Sequence, residues 1–293
     1  MTSQARPVHA NLAVRRRMPK SPVEQRLCRF GLVLLALWLL AAVLGPVLLT
    51  LPSHGLEALH PHGHPFVDAR MFWGIPNFMD VLSNAPLFLA GALGVGVLQL
   101  QRGTKPLPAV QLAMTVFFVG LMLTGLGSAW YHWAPDAQGL VLDRLGMAVT
   151  FAGALALAVS ERVSVAAASV TLRMSLMVAL LSAVMPLSHD NVWPWAVVQF
   201  GGMALMGWLS MQKPVAGAMG VRIGVLLALY AVAKMFELGD AAVFLATGEL
   251  VSGHTLKHLV AALAVFPVVM AVRQNARAVV GAPAPARASV HSH

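Results

Sequence analysis

Apolar residues run through this chain in blocks of about 20, the length that crosses ~30 Å of hydrocarbon as a helix, and polar residues gather between the blocks. The pattern predicts spans near 29–51, 80–100, 109–132, 139–159, 170–188, 192–211, 222–246 and 254–273. Only a few residues around Ser188 to Asn191 separate the fifth and sixth, which predicts a tight helical hairpin. The expected fold is all-α, a polytopic transmembrane helix bundle of about eight spans with no soluble domain. It divides into a basic segment 1–28, an anchor helix 29–51, a loop 52–79, a seven-helix core 80–273 and a tail 274–293. The tail is rich in Pro and Ala and is expected to be disordered. The first apolar run is longer than the h-region of a signal peptide and no clear small-x-small cleavage site follows it, so it reads as a retained anchor.

Composition supports lipid as the main solvent. With 58% hydrophobic and 11% charged residues, a water-facing shell would be hard to build. The formal net charge of +9 sits at the ends of apolar blocks and is not interleaved with aromatics, so it speaks for topology and against nucleic-acid binding. Following the chain through eight crossings, Arg15, Arg16, Arg17 and Lys20 share a side with Arg102, Lys105, Arg162, Arg173, Lys213, Arg222 and Arg273. The other side collects Glu57, Asp68, Asp80, Asp136, Asp190 and Glu249. Both termini are therefore expected in the cytoplasm, with the chain in an inner or plasma membrane and no obligate protein partner evident. The single cysteine, Cys28, excludes an intrachain disulfide or a cysteine metal cluster, so any metal is held by nitrogen and oxygen.

Charged and polar groups inside apolar spans are costly enough to need a partner or a task. Ser128 and His132 lie four apart near the outer end of the third span, Asp143 one turn inside the fourth, and His254 and His258 four apart at the start of the eighth. Residues four apart share a helix face, and the topology brings all five to one membrane face. Three neutral imidazoles are a typical zinc set with the fourth position left for water. Asp143 would orient that water and take its proton, and Ser128 would donate to a developing oxyanion. Each residue alone has a blander reading: an interfacial histidine, a packing hydroxyl, an aspartate paired with Arg144 or capping its helix. The combination carries the case.

In the seventh span, Lys234 and Glu237 are spaced to pair within the helix. Glu237 and Asp240 also project toward the outer half, where they would support a ligating histidine or meet a polar head group. Lys257 is expected on another face than the two histidines, snorkelling to the interface. His54, His60, His62 and His64 read as a solvated loop, and Trp73 to Pro76 as an interfacial stretch lying over the site as a lid.

At this point the sequence resembles a known superfamily. Ser128-x3-His132, Asp143 eleven residues on, and His254-x3-His258 look like the signature of the alkaline ceramidase, adiponectin-receptor and Per1-like membrane hydrolases, closest to the alkaline ceramidases and their bacterial members. The segment Asp80 to Asn84 also resembles the ceramidase stretch leading into the first core helix. The resemblance covers roughly residues 68–273 and implies a seven-helix ceramidase-like core, to which 29–51 adds one extra N-terminal helix. It implies that His132, His254 and His258 bind Zn2+, that Asp143 and Ser128 are catalytic, and that the reaction is hydrolysis of a ceramide-like N-acyl lipid. Tyr131, Asn84, Lys234, Glu237 and Asp240 are the expected supports of the ligands or contacts for the lipid substrate. Animal ceramidases also bind Ca2+ through an acidic amino-terminal stretch; Asp68 and Asp80 are the corresponding candidates, but Asn77 stands where a glutamate is expected. The alternative from another class is a seven-helix receptor or sensor with a structural zinc. A b-type haem carrier fits poorly, because axial histidines face each other from separate spans.

Overall fold

The computed structural model describes residues 20–49, 66–101, 105–189 and 191–280. Most of the basic amino-terminal segment, the histidine loop from His54 to His64 and the tail from 281 onward lie outside the described residues. Among the described residues every regular element is a helix.

The elements are α1 (Pro22–Leu49), α2 (Phe78–Leu82), α3 (Ala85–Gln99), α4 (Pro108–Trp133), α5 (Ala137–Arg162), α6 (Val165–His189), α7 (Trp193–Ala196), a π turn (Val197–Gly201), α8 (Gly202–Ser210), α9 (Ile223–Leu238), α10 (Asp240–Ala246), α11 (Gly253–Ala262) and α12 (Val265–Val280). Six stretches are long and apolar enough to cross a membrane: Pro22–Val47, Phe78–Gln99, Pro108–Trp133, Ala137–Arg162, Val165–Leu187 and Gly253–Ala276. A helical membrane bundle follows. The segments expected as the sixth and seventh spans are not among these six; they fold as interrupted helices, the first carrying the π turn and the second breaking at Gly239. The eighth is also jointed, at Leu263 and Ala264, and runs on to Val280, past the expected 273. Apolarity located these segments, but breaks in the hydrogen-bond ladder do not alter apolarity.

The core is built around α4 and α5. Glycines on both helices meet the partner's backbone: Gly120 abuts Thr150, Gly127 abuts Leu142, Gly146 abuts Thr124 and Gly153 abuts Phe117. Small residues let helices approach closely where lipid offers no hydrophobic driving force between them. Phe117, Phe118, Met114 and Leu157 fill the space below this seam. Helix α1 docks at the edge through Trp38 Nε1, which donates to Ser182 Oγ (2.7 Å), and through the Asn191 amide, which donates to the carbonyls of Ala41 and Ala42.

At one end of the bundle the Glu161 carboxylate accepts from the backbone N–H groups of Met219 (2.8 Å), Gly220 (2.9 Å) and Val221 (3.2 Å). That single side chain organises the connection between α8 and α9. Asn275 on α12 closes the same corner by donating to Met219 O (2.7 Å). Helix α4 ends, and α5 begins, at the other end, and the polar residues singled out in the sequence converge there.

Candidate metal centre

His132 occupies the last turn of α4, while His254 and His258 sit one turn apart in α11, so two helices more than a hundred residues apart in sequence supply the set. All three are buried, at 1%, 3% and 2% exposure, and each offers a ring nitrogen within 4.8 Å of the others. His132 Nε2 lies 3.1 Å from His254 Nε2. Two nitrogens bound to one tetrahedral zinc at about 2.05 Å would be about 3.3 Å apart, so this separation suits a shared ion. The three buried histidines can hold a metal.

The neighbouring groups fix how the rings are presented. Ser83 Oγ lies 2.8 Å from His258 Nδ1 and donates its one proton to Asp80 O (3.1 Å). With that proton on Asp80 O, Nδ1 is the N–H donor, the tautomer that leaves the Nε2 lone pair facing inward for a metal. Ser128 Oγ lies 3.4 Å from that Nε2. Helix α11 is itself held at its first turn by two carboxylates. Asp240 Oδ1 accepts from the backbone N–H of His254 (2.8 Å), and Asp80 Oδ1 accepts from the hydroxyls of Ser252 (3.0 Å) and Thr255 (2.8 Å). Acids suit this place because the helix N-terminus presents positive charge. Gly253 lets α11 approach closely, since a side chain there would strike Phe236 O.

Asp143 is half-buried and faces a cavity between the helices that Ser128 and His258 also line. Its neighbour Arg144 turns away, its guanidinium carbon 5.8 Å from the ring centre of Trp195, so the two are not the ion pair considered from the sequence. Most of the remaining cavity wall is apolar, with Phe117, Leu121, Met206 and Leu226 prominent.

The other sequence candidates take these places. Lys234 and Glu237 pair within α9, as their spacing predicts. Tyr131 is buried with its ring 5.6 Å from that of Phe66 and 5.5 Å from that of His132. Asn84 is buried at the joint of α2 and α3, donating to Asp80 O (2.8 Å), a structural position. Asp68 is buried and clasps Arg70 through two hydrogen bonds of 2.6 Å, which push the guanidinium pKa above its ordinary value. Asn77, in a left-handed backbone conformation, donates to His132 O (2.8 Å). Asp68, Asn77 and Asp80 thus all hold protein groups.

Two expectations are corrected. Lys257 does not snorkel: its Nζ lies 2.9 Å from His254 Nε2 and 3.1 Å from Glu237 Oε1, and it lines the cavity. Lysine at i+3 from His254 shares that histidine's side of the helix, and the partner carboxylate draws it inward. The stretch Trp73 to Pro76 is not the cover of the site. Trp73 is 82% exposed and packs on Phe72 and Phe78, whereas the ring over the histidines is Phe66, 4.4 Å from His132 and 5.6 Å from His254 between ring centres. Phe66, and the contact of Ser83 with His258, are what sequence reasoning missed around the histidines. Ser83 had a signal, a hydroxyl in the polar Ser83-Asn84 step at the head of an apolar span; Phe66 had none.

Comparison with family models, with curated proteins and with solved structures gives no match for this chain. Function is therefore read from the chemistry of the site.

Proposed function

We propose that this protein is a zinc-dependent intramembrane hydrolase that cleaves the amide bond of ceramide-like N-acyl lipids, releasing a fatty acid and a free amine. The observation that carries the reading is the meeting of three buried imidazoles with Asp143 and Ser128 beside an apolar cavity enclosed by helices. A substrate that partitions into the membrane reaches such a site more readily than a water-soluble one. The choice of amide over ester comes from the resemblance to the alkaline ceramidases.

In this reading the chain crosses the membrane eight times, with α7 to α8 and α9 to α10 as interrupted spans. Irregular backbone at membrane depth is tolerated where it lines a cavity, and Gln199 in the π turn and Glu237 beside the Gly239 break both do so. The asymmetry of Lys and Arg along the sequence supports cytoplasmic termini and a site toward the extracytoplasmic side.

When bound, zinc lowers the pKa of water to about 7 and polarises a carbonyl oxygen. The protein's own groups do the rest. Asp143 takes the proton of the attacking water and returns it to the departing amine, so that water and amide become carboxylic acid and amine. Ser128 donates to the carbonyl oxygen as it gains charge. Ser83 holds the His258 ring, Asp240 and Asp80 hold the turn that carries His254, and Phe66 covers the rings and keeps bulk water away.

The test is to incubate the detergent-purified protein with a panel of N-acyl lipids, with and without chelator. Release of fatty acid is expected, lost on chelation and restored by zinc. Asp143→Asn should keep its zinc and lose about 10²- to 10⁴-fold in turnover. Hydrolysis that survives chelation, or full activity in that variant, overturns the assignment. Stoichiometric zinc without hydrolysis of any lipid would turn the reading toward a receptor with a structural metal.

A further inference from the structure

Phe66 lies over the imidazoles, yet it belongs to an irregular connection and not to a helix. A residue on such a connection has no hydrogen-bond ladder to hold it, so other groups must fix its path. Four residues on, Arg70 does this through three partners. Its Nε and Nη2 donate to the two oxygens of Asp68, each at 2.6 Å, and Asp68 is fully buried. Nη2 also donates to the carbonyl of Leu250 at 2.9 Å, in the connection between α10 and α11. The guanidinium carbon stands 5.3 Å from the centre of the Phe244 ring on α10, within the range of a cation–π contact. Glu249 and Asp80 add to the negative field around it.

These partners divide the work. Asp68 is two residues from Phe66 and fixes the backbone between them. Leu250 lies two residues before Ser252, whose side chain caps α11, and four before His254. One guanidinium thus fastens the cover to the turn that presents a histidine. The chain beyond Arg70 gives it a rigid base: Phe72 and Ile75 exchange two backbone hydrogen bonds of 3.1 and 2.9 Å, Phe78 N–H donates to Arg70 O at 3.0 Å, and the Asn77 amide donates to His132 O. Asp68, a calcium candidate by resemblance, already has both oxygens on a cation of the chain itself.

We propose that Arg70 is a positioning residue for the metal centre: by clasping Asp68 and Leu250 it holds Phe66 closed over the histidines and sets how fast a metal ion enters and leaves. The proposal rests on the three histidines holding a metal, and not on hydrolysis. None of the Arg70 contacts above is with a ligand side chain. Loosening the clasp therefore raises the open fraction in the metal-free and the metal-bound protein alike. Entry and exit quicken by the same factor, and the affinity, their ratio, is unchanged.

The experiment follows zinc transfer from the full-length protein in detergent to a chromogenic chelator, and the reverse uptake, by stopped flow. Arg70→Met should speed both about 10- to 100-fold, the worth of a bidentate charge-assisted pair, with Kd unchanged. Amide hydrogen exchange over residues 66–70 should rise in the same variant while that of the helices stays as in wild type, which also shows that the bundle is folded. Phe66→Ala should quicken zinc transfer likewise, and adding Arg70→Met to it should change nothing further, because the cover is gone. Wild-type rates in Arg70→Met, unaltered amide exchange, or a further acceleration in the Phe66→Ala background overturns the proposal. So does a loss of affinity with uptake unchanged, which would make Arg70 a support of the ligands themselves, or slower transfer from wild type in excess Ca2+, which would make a bound ion the fastener. Faster exchange as expected without hydrolysis of any lipid would overturn the hydrolase reading alone, hydrolysis with unmoved exchange rates would overturn this proposal alone, and a wild type that takes up no zinc would overturn both.

Discussion

Two carboxylates on α5, Asp143 and Glu161, lie eighteen residues and about 27 Å apart along one helix axis, near opposite ends of the bundle. Glu161 is 1% exposed, and its two oxygens accept from three backbone N–H groups. Asp143 opens onto a cavity and has a serine, a lysine and a histidine around it on the same wall. The backbone of a loop has fixed donors that only folding can align, so a carboxylate spent on them is part of the architecture. Side chains from several helices gathered around a cleft are free to act on something that enters it. The comparison separates buried acids by their partners, main chain for scaffold and converging side chains for chemistry. Asp80 and Asp240 fall between, each using one oxygen to hold α11 while the other, Oδ2, is buried without a hydrogen bond.

The sharpest break of this comparison is at the histidine end. His258→Ala should remove most bound zinc and with it turnover, while thermal unfolding in detergent keeps a cooperative transition; metal content of the purified variant checks this, and an unchanged content refutes the ligand set. At the other end the effect should be purely structural. Glu161→Ala leaves three backbone N–H groups, of which that of Val221 is buried, without their acceptor and should cost about 2–3 kcal/mol, read as a lowered unfolding temperature, with the folded fraction still binding zinc at wild-type stoichiometry. A loss of zinc affinity in that variant would mean the two ends are not independent. Smaller still is Ser83→Ala, which removes the acceptor that orients His258. Zinc affinity should fall about 10- to 100-fold with little change in stability, measured by competition with a chromogenic chelator.

Much of this was legible before any coordinates. Apolar blocks located the helices, and the spacing of His254 and His258 placed two histidines on one face; that His132 would join them was expected from the charge-based topology, and the structure brings the three together. The π turn was not legible, because Val197 to Gly201 lies inside a stretch whose hydrophobicity never falters, and the break at Gly239, between Glu237 and Asp240, was passed over because the charges there were read as pairing within a continuous helix. Lys257 was misplaced for a physical reason: snorkelling is the default for a lysine near a span end, and only the position of Glu237, twenty residues earlier, reverses it. Phe66 lies between helices on a connection with no periodicity, so nothing in its neighbourhood announced a ring over the imidazoles. The resemblance to the alkaline ceramidases suggested the chemistry and included Ser83 in its Asp80 to Asn84 segment; the geometry supplied the role of Ser83 against His258, the ring of Phe66 and the inward turn of Lys257.

The glycine seam between α4 and α5 gives the centre a mechanical property. Gly127 presses on Leu142, the residue before Asp143, and lies five positions before His132 on its own helix. Asp143 and His132 are thus mounted on two rods that meet backbone to backbone at this glycine, and their separation behaves as a gauge cut into the scaffold. A single methyl added at Gly127 would act as a shim, displacing one rod against the other, and would detune the proposed centre from a position that does not line its cavity.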